Sequence, residues 1–298
     1  MVSTQATNAR LLARNAELFA ADTAEAARER AEGYALYEEK PNLRRRGAEI
    51  GTWSDREYGL PGFQWMYLRL KSYQRFTETW AALERCAHAG LFDDGAPLAA
   101  APRVVSLGGG PGYELLTYDY FRRYWRAPDR AAWRLDAAAA EDPAPQRDAY
   151  ASLDLQPSWK AYVDLLGYGF ERWDVHRSGA APVAAGHASG VVCLLSNIMC
   201  YCTDDATADL FLTLLNTTVA AIVANERGAE QGIVPLLERR GAVVVKLLDQ
   251  TTAGRDDRQF VVLPPGSDAA LPNIPLPDDA HRVFPNVPYE EKKGVRRT

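Results

Sequence analysis

Short apolar segments alternate with helical patterns along the second half of the chain. Seven segments have the length and the β-branched, apolar composition of strands. These predicted strands are Val104–Leu107, Ala149–Leu153, Gly169–Trp173, Val191–Leu195, Val219–Ala224, Ala242–Leu248 and Arg258–Leu263. Helical patterns lie between most of them, at Tyr113–Trp125, Trp159–Leu166, Asp205–Leu215 and Glu230–Arg240. This alternation predicts βαβ units, and therefore an α/β fold with a largely parallel sheet.

The first hundred residues have a helical pattern instead. Asn8–Gly33 is rich in Ala, Leu, Glu and Arg, and we expect its helix to end at Gly33. A loop with Pro41 and Arg44–Arg46 follows, and apolar side chains then recur at helical spacing until Gly90. These side chains belong to Phe63, Met66, Tyr67, Leu70, Tyr73, Phe76, Trp80 and Leu83.

Two further segments fit neither pattern. Arg126–Arg147 is rich in Ala, Pro and Asp, which predicts an inserted loop. Beyond Pro264 the many prolines cannot continue a sheet, so we expect a surface or disordered tail. We therefore divide the chain into an N-terminal helical cap at 1–100, a core at 101–265 and a proline-rich tail at 266–298.

Composition and charge narrow the class of protein. The chain has 298 residues, of which 47% are hydrophobic and 24% charged, so it suits one large globular domain or two small ones. These values exclude a long disordered chain, a collagen-like repeat and a disulfide scaffold. The formal net charge of −5 argues against a generally basic nucleic-acid-binding protein.

The cysteines and histidines indicate an intracellular protein without a metal centre. Cys86, Cys193, Cys200 and Cys202 form no C-x-x-C pair, and the four histidines are widely spread, so we assign no metal ligand. No apolar run approaches the roughly 18 residues that a membrane span needs, and the N-terminus lacks the core of a signal peptide. We expect a soluble protein without a membrane partner, in the cytoplasm or alternatively the nucleus.

A glycine-rich turn follows the first predicted strand and precedes a helix. Glycines allow the backbone to approach a ligand closely, and the N–H groups at the start of the helix face it. The G-x-G-x-x-G pattern of dinucleotide loops fails, because its third position would be Tyr113 or Leu115. The Gly-Lys-Ser/Thr ending of a phosphate-binding P-loop is absent too. The pattern that fits is G-x-G-x-G at Gly108, Gly110 and Gly112; a glycine turn without a ligand is the alternative.

This pattern, between a strand and a helix, resembles the first motif of the class I S-adenosylmethionine-dependent methyltransferases. The resemblance covers about Ala101 to Pro264. It implies a seven-stranded, mostly parallel, Rossmann-like sheet closed by a hairpin, with S-adenosyl-L-methionine as the cofactor. The family commonly has an acidic residue two positions before the first glycine, where this chain has Ser106.

The resemblance also implies further cofactor contacts at strand ends. Asp154 would hold the two ribose hydroxyls, since a carboxylate accepts two hydrogen bonds from a diol. It follows Gly108 by 46 residues, a spacing that the Arg126–Arg147 insertion lengthens. Asp174 would contact the adenine amino group, with Val175 as the adjacent backbone donor. The alternatives are an acidic residue at a strand end on the surface and an ordinary helix cap.

The methionine end and the methyl acceptor would lie beyond the fourth strand. Ser196 and Asn197 occupy the place of the family's fourth motif, where methyl donor and acceptor meet. One of Arg69, Lys71 and Arg75 would hold the methionine carboxylate, and we select Arg75; a solvated helix face is the alternative. The aromatic side chains before the core would line an acceptor pocket or simply form core. They are Trp53, Tyr58, Phe63, Trp65 and Tyr67.

No catalytic residue follows from the sequence. Methyl transfer needs mainly the alignment of nucleophile, methyl and sulfur, with a base only for an acidic nucleophile. His176 is either such a base or a surface histidine. Cys200 and Cys202 suggest covalent pyrimidine chemistry, but buried structural cysteines are commoner and no Pro-Cys pair is present.

Three functions therefore compete. The acidic balance favours a methyltransferase for a small-molecule or peptide-sized acceptor. An RNA methyltransferase is the alternative, and it rests on Arg44–Arg46 and on basic residues of the tail. A non-catalytic relative that keeps the fold as a binding module is the third possibility. The basic tail residues are Lys292, Lys293, Arg296 and Arg297.

Overall fold

Helices account for most of the N-terminal region. The computed structural model describes residues 2–38, 53–133, 147–226, 232–248 and 259–267. The N-terminal helices are α1 (Val2–Ala13), α2 (Ala16–Ala20), α3 (Ala24–Glu38), α4 (Asp55–Tyr58) and α5 (Pro61–His88). The long apolar stripe of the sequence is therefore a single helix, α5, whereas the helix predicted over Asn8–Gly33 is divided into three.

Gly33 does not end a helix, and that prediction is wrong. Helix α3 continues through Gly33 to Glu38. The glycine serves a close helix crossing instead, because a Cβ atom placed on Gly33 would lie 2.1 Å from the backbone carbon of Gly62 in α5. A Cβ atom on Gly62 would likewise lie 2.2 Å from the backbone oxygen of Glu29. The two glycines let α3 and α5 touch through their backbones.

The seven strands of the described residues form one mixed sheet. They are β1 (Val104–Leu107), β2 (Tyr150–Asp154), β3 (Gly169–Arg172), β4 (Val191–Ser196), β5 (Val219–Asn225), β6 (Val243–Leu248) and β7 (Gln259–Leu263). Their order is β3-β2-β1-β4-β5-β7-β6. Strands β1 to β5 are parallel, and β7 runs antiparallel to both β5 and β6. The predicted α/β class, the mostly parallel sheet and the closing hairpin are confirmed.

Helices follow the strands much as the sequence predicts. The core helices are α6 (Tyr113–Arg126), α7 (Lys160–Leu165), α8 (Ala181–Ala184), α9 (Asp205–Thr217) and α10 (Ile233–Arg239). Single 3₁₀ turns at Pro157–Trp159 and Met199–Tyr201 add to these. The predicted helix at Trp159–Leu166 thus begins as a 3₁₀ turn at Pro157. The inserted loop beyond Trp133, the loop with Arg44–Arg46 and the tail beyond 267 lie outside the described residues.

The side chains of the strands alternate between two cores. In β4, Val192 and Leu194 pack with the aromatic core under α5 and α6, whereas Cys193 and Leu195 face the core under α9 and α10. This period of two is the normal consequence of the strand pleat. Helix α5 therefore covers one face of the sheet, where Trp80 is 1% exposed. No helix in the described ranges is long and apolar enough to cross a membrane.

Polar side chains attach α5 to the ends of β5 and β7. The side-chain amide of Asn225 donates to Glu78 Oε2 at 3.1 Å, and that of Gln259 donates to the Glu78 backbone oxygen at 2.9 Å. Arg85 Nη1 donates to Gln259 Oε1 at 2.5 Å. Because Arg85, Asn225 and Gln259 are buried, these bonds fix the position of α5 across the sheet.

Candidate functional site

The glycine loop connects β1 to α6 at the carboxyl edge of the sheet. Gly108, Gly110 and Gly112 have φ angles of +64°, +49° and +89°, in the left-handed region that side chains disfavour. Gly112 is the N-cap of α6, and its N–H donates to the Gly109 oxygen at 2.9 Å. The three glycines of the sequence motif are thus the three that the turn requires for its conformation.

Space around the loop differs from glycine to glycine. A Cβ atom on Gly109 would lie 2.5 Å from Ser106 Oγ, and one on Gly108 would lie 2.6 Å from Ile198 Cδ1. Around Gly110 the nearest neighbour is the Trp159 ring, 3.8 Å from such an atom. The middle glycine therefore faces a space that the protein leaves less crowded, between the loop and Trp159.

Asp154 reaches the loop from the end of β2. Its Oδ2 accepts a hydrogen bond from the Gly110 N–H at 2.8 Å, and its Oδ1 accepts one from the Gln156 N–H at 2.9 Å. The pairing of Leu107 with Leu153 sets this proximity, because the carboxyl ends of neighbouring parallel strands meet. Burial raises the Asp154 pKa to about 6, although both N–H bonds oppose the shift. Each carboxylate oxygen keeps a lone pair that could accept a hydroxyl.

Gln156 connects this loop to the N-terminal region. Its Nε2 donates to the backbone oxygen of Asp55 in α4 at 2.6 Å. Nearby, Gln64 Nε2 of α5 donates to Ser158 Oγ at 2.5 Å. Helix α4 and the start of α5 are therefore tied to the segment that follows Asp154.

Asp174 forms the turn after β3. Its Oδ1 accepts from the His176 N–H at 2.9 Å, and its own N–H donates to Ser178 Oγ at 2.9 Å. The carboxylate thus stabilises its own turn. Val175 is buried beside it. The adenine contacts of Asp174 and Val175 stay a prediction.

Arg75 lies inside the site, whereas Arg69 and Lys71 do not. Arg69 stacks over the Trp65 ring at 5.2 Å, and Lys71 donates to Gln74 Oε1 at 2.8 Å. Arg75 is 7% exposed, and its Nη1 lies 3.4 Å from Glu78 Oε2. Burial alone would lower the Arg75 pKa, but Tyr67, Glu78 and Glu114 raise it above its usual range. The guanidinium is therefore charged.

Asn197 has an unusual backbone conformation at the end of β4. Its φ is +56°, and among the described non-glycine residues only Ala185 shares a positive φ. With its amide oxygen turned toward α5, Asn197 accepts from both terminal nitrogens of Arg75. Its backbone N–H donates to the Asn225 oxygen at 3.3 Å. The cofactor contacts of Ser196 and Asn197 stay a prediction.

Glu114 is a site residue that the sequence interpretation missed. It lies two positions after Gly112 and is 5% exposed. Burial raises the Glu114 pKa, and the charge of Arg75 opposes the shift. In a sequence, an acidic residue in the first turn of a helix indicates an exposed side chain that interacts favourably with the helix dipole. The burial of Glu114 could therefore not be predicted.

The aromatic segment is mostly core, with one member in the site. Trp53, Tyr58 and Phe63 pack against one another with ring centroids 4.9 to 5.8 Å apart. Tyr67 continues from this cluster to Trp159, 5.6 Å away, which borders Gly110. Burial raises the Tyr67 pKa, and the charge of Arg75 opposes the shift. Its hydroxyl is thus a neutral group beside that guanidinium.

The structure also describes the candidate base His176 and the side chains of two further cysteines. His176 is exposed, and its Nδ1 lies 4.0 Å from Asp204 Oδ2. Burial raises the Cys193 pKa to about 12, so its thiol stays protonated. Cys202 is buried and donates to the Ile198 oxygen at 3.5 Å. The side chain of Cys200 lies outside the described atoms.

The sheet topology confirms the fold that the resemblance implied. Its glycine loop follows β1, its acidic residue ends β2, and an antiparallel pair closes the sheet. The chain has a Rossmann-like fold, with a seven-stranded, mostly parallel sheet that an antiparallel pair closes.

Solved structures that partly resemble the chain share little sequence with it. A putative S-adenosyl-L-methionine-dependent methyltransferase from Methanococcus maripaludis is 9% identical over 75% of this chain and 100% of that one, with a TM-score of 0.42. The CurJ carbon methyltransferase is 12% identical over 87% and 69% of the two chains, with a TM-score of 0.43. An O-methyltransferase family protein from Burkholderia thailandensis is 12% identical over 61% and 56%, with a TM-score of 0.34. No family profile and no curated protein sequence matches this chain.

Proposed function

We propose that the protein transfers a methyl group from S-adenosyl-L-methionine to a small-molecule or peptide-sized acceptor. One observation carries the proposal: the carboxylate of Asp154 is bonded to Gly110, the glycine of the loop at which a Cβ atom would meet nothing nearer than the Trp159 ring at 3.8 Å. A ribose bound there would meet an acceptor for its hydroxyls and a backbone without side chains. The cofactor would supply a methyl group on a positively charged sulfur.

The residues of the site suit binding and orientation better than proton transfer. Asp154 accepts hydrogen bonds, Arg75 provides a charged donor, and Asn197 orients the guanidinium. Displacement at a sulfonium carbon depends mainly on such alignment, since a well-oriented pair of reactants avoids most of the entropic cost. Tyr67 and Trp159 would form an apolar wall that keeps water away from the reacting atoms.

The charge of the chain favours an acceptor smaller than a nucleic acid. Phosphate backbones are bound by exposed Lys and Arg side chains, whereas the formal net charge of this chain is −5. The basic residues on which an RNA methyltransferase would depend lie outside the described ranges.

Calorimetric titration with S-adenosyl-L-methionine and its demethylated product tests the cofactor. Micromolar binding of both ligands supports the proposal, and no binding of either overturns it. The acceptor class is then tested with a cofactor labelled on its methyl group and a cell extract separated into small molecules, peptides and RNA. Label in RNA, with binding that weakens steeply as salt increases, would replace the proposed acceptor class.

A further inference from the structure

The Trp159 ring lies face-on against the middle glycine of the loop. Three of its ring atoms, Cε2, Nε1 and Cδ2, lie 3.8 to 4.0 Å from the position that a Cβ atom on Gly110 would take. Nearly equal distances to three neighbouring ring atoms mean that the indole turns its face, rather than its edge, to the loop. Trp159 is 2% exposed, so the ring is closed off from solvent.

The gap between this ring and the loop is too narrow for a ligand. A Cβ atom is bonded about 1.5 Å from its Cα atom, so the ring lies within about 5.3 Å of the Gly110 Cα atom. A ligand between the two needs about 3.5 Å of contact distance on each of its faces, which is about 7 Å in all. A ribose that bonds to Asp154 and lies against Gly110 therefore requires the ring to move outward by about 2 Å.

Side chains of the N-terminal region hold the segment that carries this ring. Gln64 Nε2 of α5 donates to the hydroxyl of Ser158, the residue before Trp159, at 2.5 Å. On the other side, Asn15 Nδ2, between α1 and α2, donates to the Tyr162 hydroxyl at 2.6 Å. The Tyr162 ring in turn packs against Trp159, with centroids 5.5 Å apart. The N-terminal region therefore fixes this segment before and after the ring.

We infer that the N-terminal region is a latch that holds Trp159 against the glycine loop, and that an adenosyl ligand enters when the ring moves outward. The inference rests on the proposed function, because an adenosyl ligand is the one expected against Gly110. After entry the ring would lie on the outer side of the ligand, as part of the apolar wall described above. Such a latch lowers the measured affinity, because the ligand binds the open fraction of the molecules.

Weakening the latch should therefore tighten binding. Ser158→Ala removes the hydrogen bond with Gln64 and keeps the bond from the backbone N–H of residue 158 to Gln156. Calorimetry should show that this variant binds S-adenosylhomocysteine about threefold more tightly than the wild type, since one hydrogen bond of the closed form is lost. Lys160→Ala is the matched control and should bind as the wild type does, because Lys160 lies in the same segment but bonds to Asp164.

Tryptophan fluorescence tests the movement of the ring itself. Addition of S-adenosylhomocysteine should change the emission of the wild type, because the surroundings of Trp159 change. Trp159→Phe keeps an aromatic ring at this position and should lose most of the change in emission.

Two results would overturn the inference. Ser158→Ala could bind S-adenosylhomocysteine no more tightly than the wild type does, or Trp159→Phe could show the same change in emission as the wild type. Should Ser158→Ala fail to fold, Asn15→Ala takes its place with the same expected result, since it removes the bond to Tyr162 on the other side of the ring. Failure of the wild type to bind any adenosyl ligand in calorimetry is distinct, because it rejects the proposed function itself.

Discussion

The Asp154 carboxylate and the Gly110 backbone N–H lie 2.8 Å apart, so the end of β2 holds the middle of the loop after β1. The same carboxylate also binds the Gln156 N–H, and Gln156 in turn binds α4. One acidic side chain therefore joins the glycine loop to the segment that the N-terminal region touches. A ligand that bonds to Asp154 would therefore bind at the point where the glycine loop, the end of β2 and the segment bonded to α4 are joined.

Replacing Asp154 should weaken the cofactor site. We expect Asp154→Ala to reduce the affinity for S-adenosyl-L-methionine by roughly 1–3 kcal/mol, because a hydrogen-bonded carboxylate is lost. Calorimetric titration measures the change. Asp164→Ala, at a half-exposed acid bonded to Lys160 on α7, serves as control and should leave the affinity unaltered. Equal affinities for Asp154→Ala and the wild type would contradict the assignment of Asp154, at the end of the second strand, as a cofactor-binding residue.

Because the pKa of Asp154 is raised, we expect cofactor affinity and the stability of the fold to change in opposite directions as the pH changes. The carboxylate form accepts the ribose hydroxyls, so affinity should fall as the pH decreases below about 6. The folded protein holds this proton more tightly than the unfolded chain. Asp154 therefore favours folding below its ordinary pKa of 3.8, and this contribution is lost as the pH rises through about 6.

Titrations between pH 5 and pH 8 test this dependence. In Asp154→Asn, which has no titrating group at the position, the affinity should be lower at neutral pH and nearly constant across the range. The same pH profile in both proteins would show that another group is responsible.

Substitution of Gly110 should abolish binding through both conformation and space. In Gly110→Val a branched side chain would be forced to a φ near +49° and would extend toward Trp159, where the ligand is expected. Gly179→Val isolates the conformational cost, since Gly179 has a φ of +67° and no atom within 4 Å of its would-be Cβ. Both variants should lose about 1–2 kcal/mol of stability, but only Gly110→Val should lose the cofactor. Retained affinity in Gly110→Val would mean that the loop is purely structural.

The helix crossing at Gly33 predicts a stability change opposite to helix propensity. Alanine normally stabilises a helix by up to about 1 kcal/mol relative to glycine. Gly33→Ala should instead destabilise the protein, because its Cβ would overlap the backbone of Gly62. Urea unfolding measures the change in the free energy of unfolding. The control is Ala35→Gly, at an exposed position of α3, which measures the effect of helix propensity alone. A more stable Gly33→Ala protein would show that α3 and α5 can separate without cost.

Local patterns were sufficient for the strands and for the glycine loop. The strands of the core follow from runs of apolar residues, and their boundaries agree with the structure to within one residue wherever the residues are described. These features depend on neighbours in sequence. Asp154 was expected from the resemblance, which implies an acidic residue at the end of the second strand.

Features that depend on contacts distant in sequence could not be predicted. Gly33 resembles a helix stop until Gly62 is known to lie against it, and Glu114 resembles a surface residue until Arg75 of α5 is known to lie near it. The sequence also could not show which of Arg69, Lys71 and Arg75 faces inward. The structure shows that Arg75 does, because it bonds to Asn197 at the end of β4. In each case the deciding neighbour belongs to another element.

The polar attachment of α5 also has a consequence for the order of events during synthesis. Glu78 and Gln259 are 181 positions apart, and Arg85 and Gln259 are 174 apart. Helix α5 leaves the ribosome before any strand, yet its partner in β7 is among the last residues of the sheet to appear. Contacts of such long range slow folding. The first long helix therefore reaches its final position only when translation of the sheet is complete.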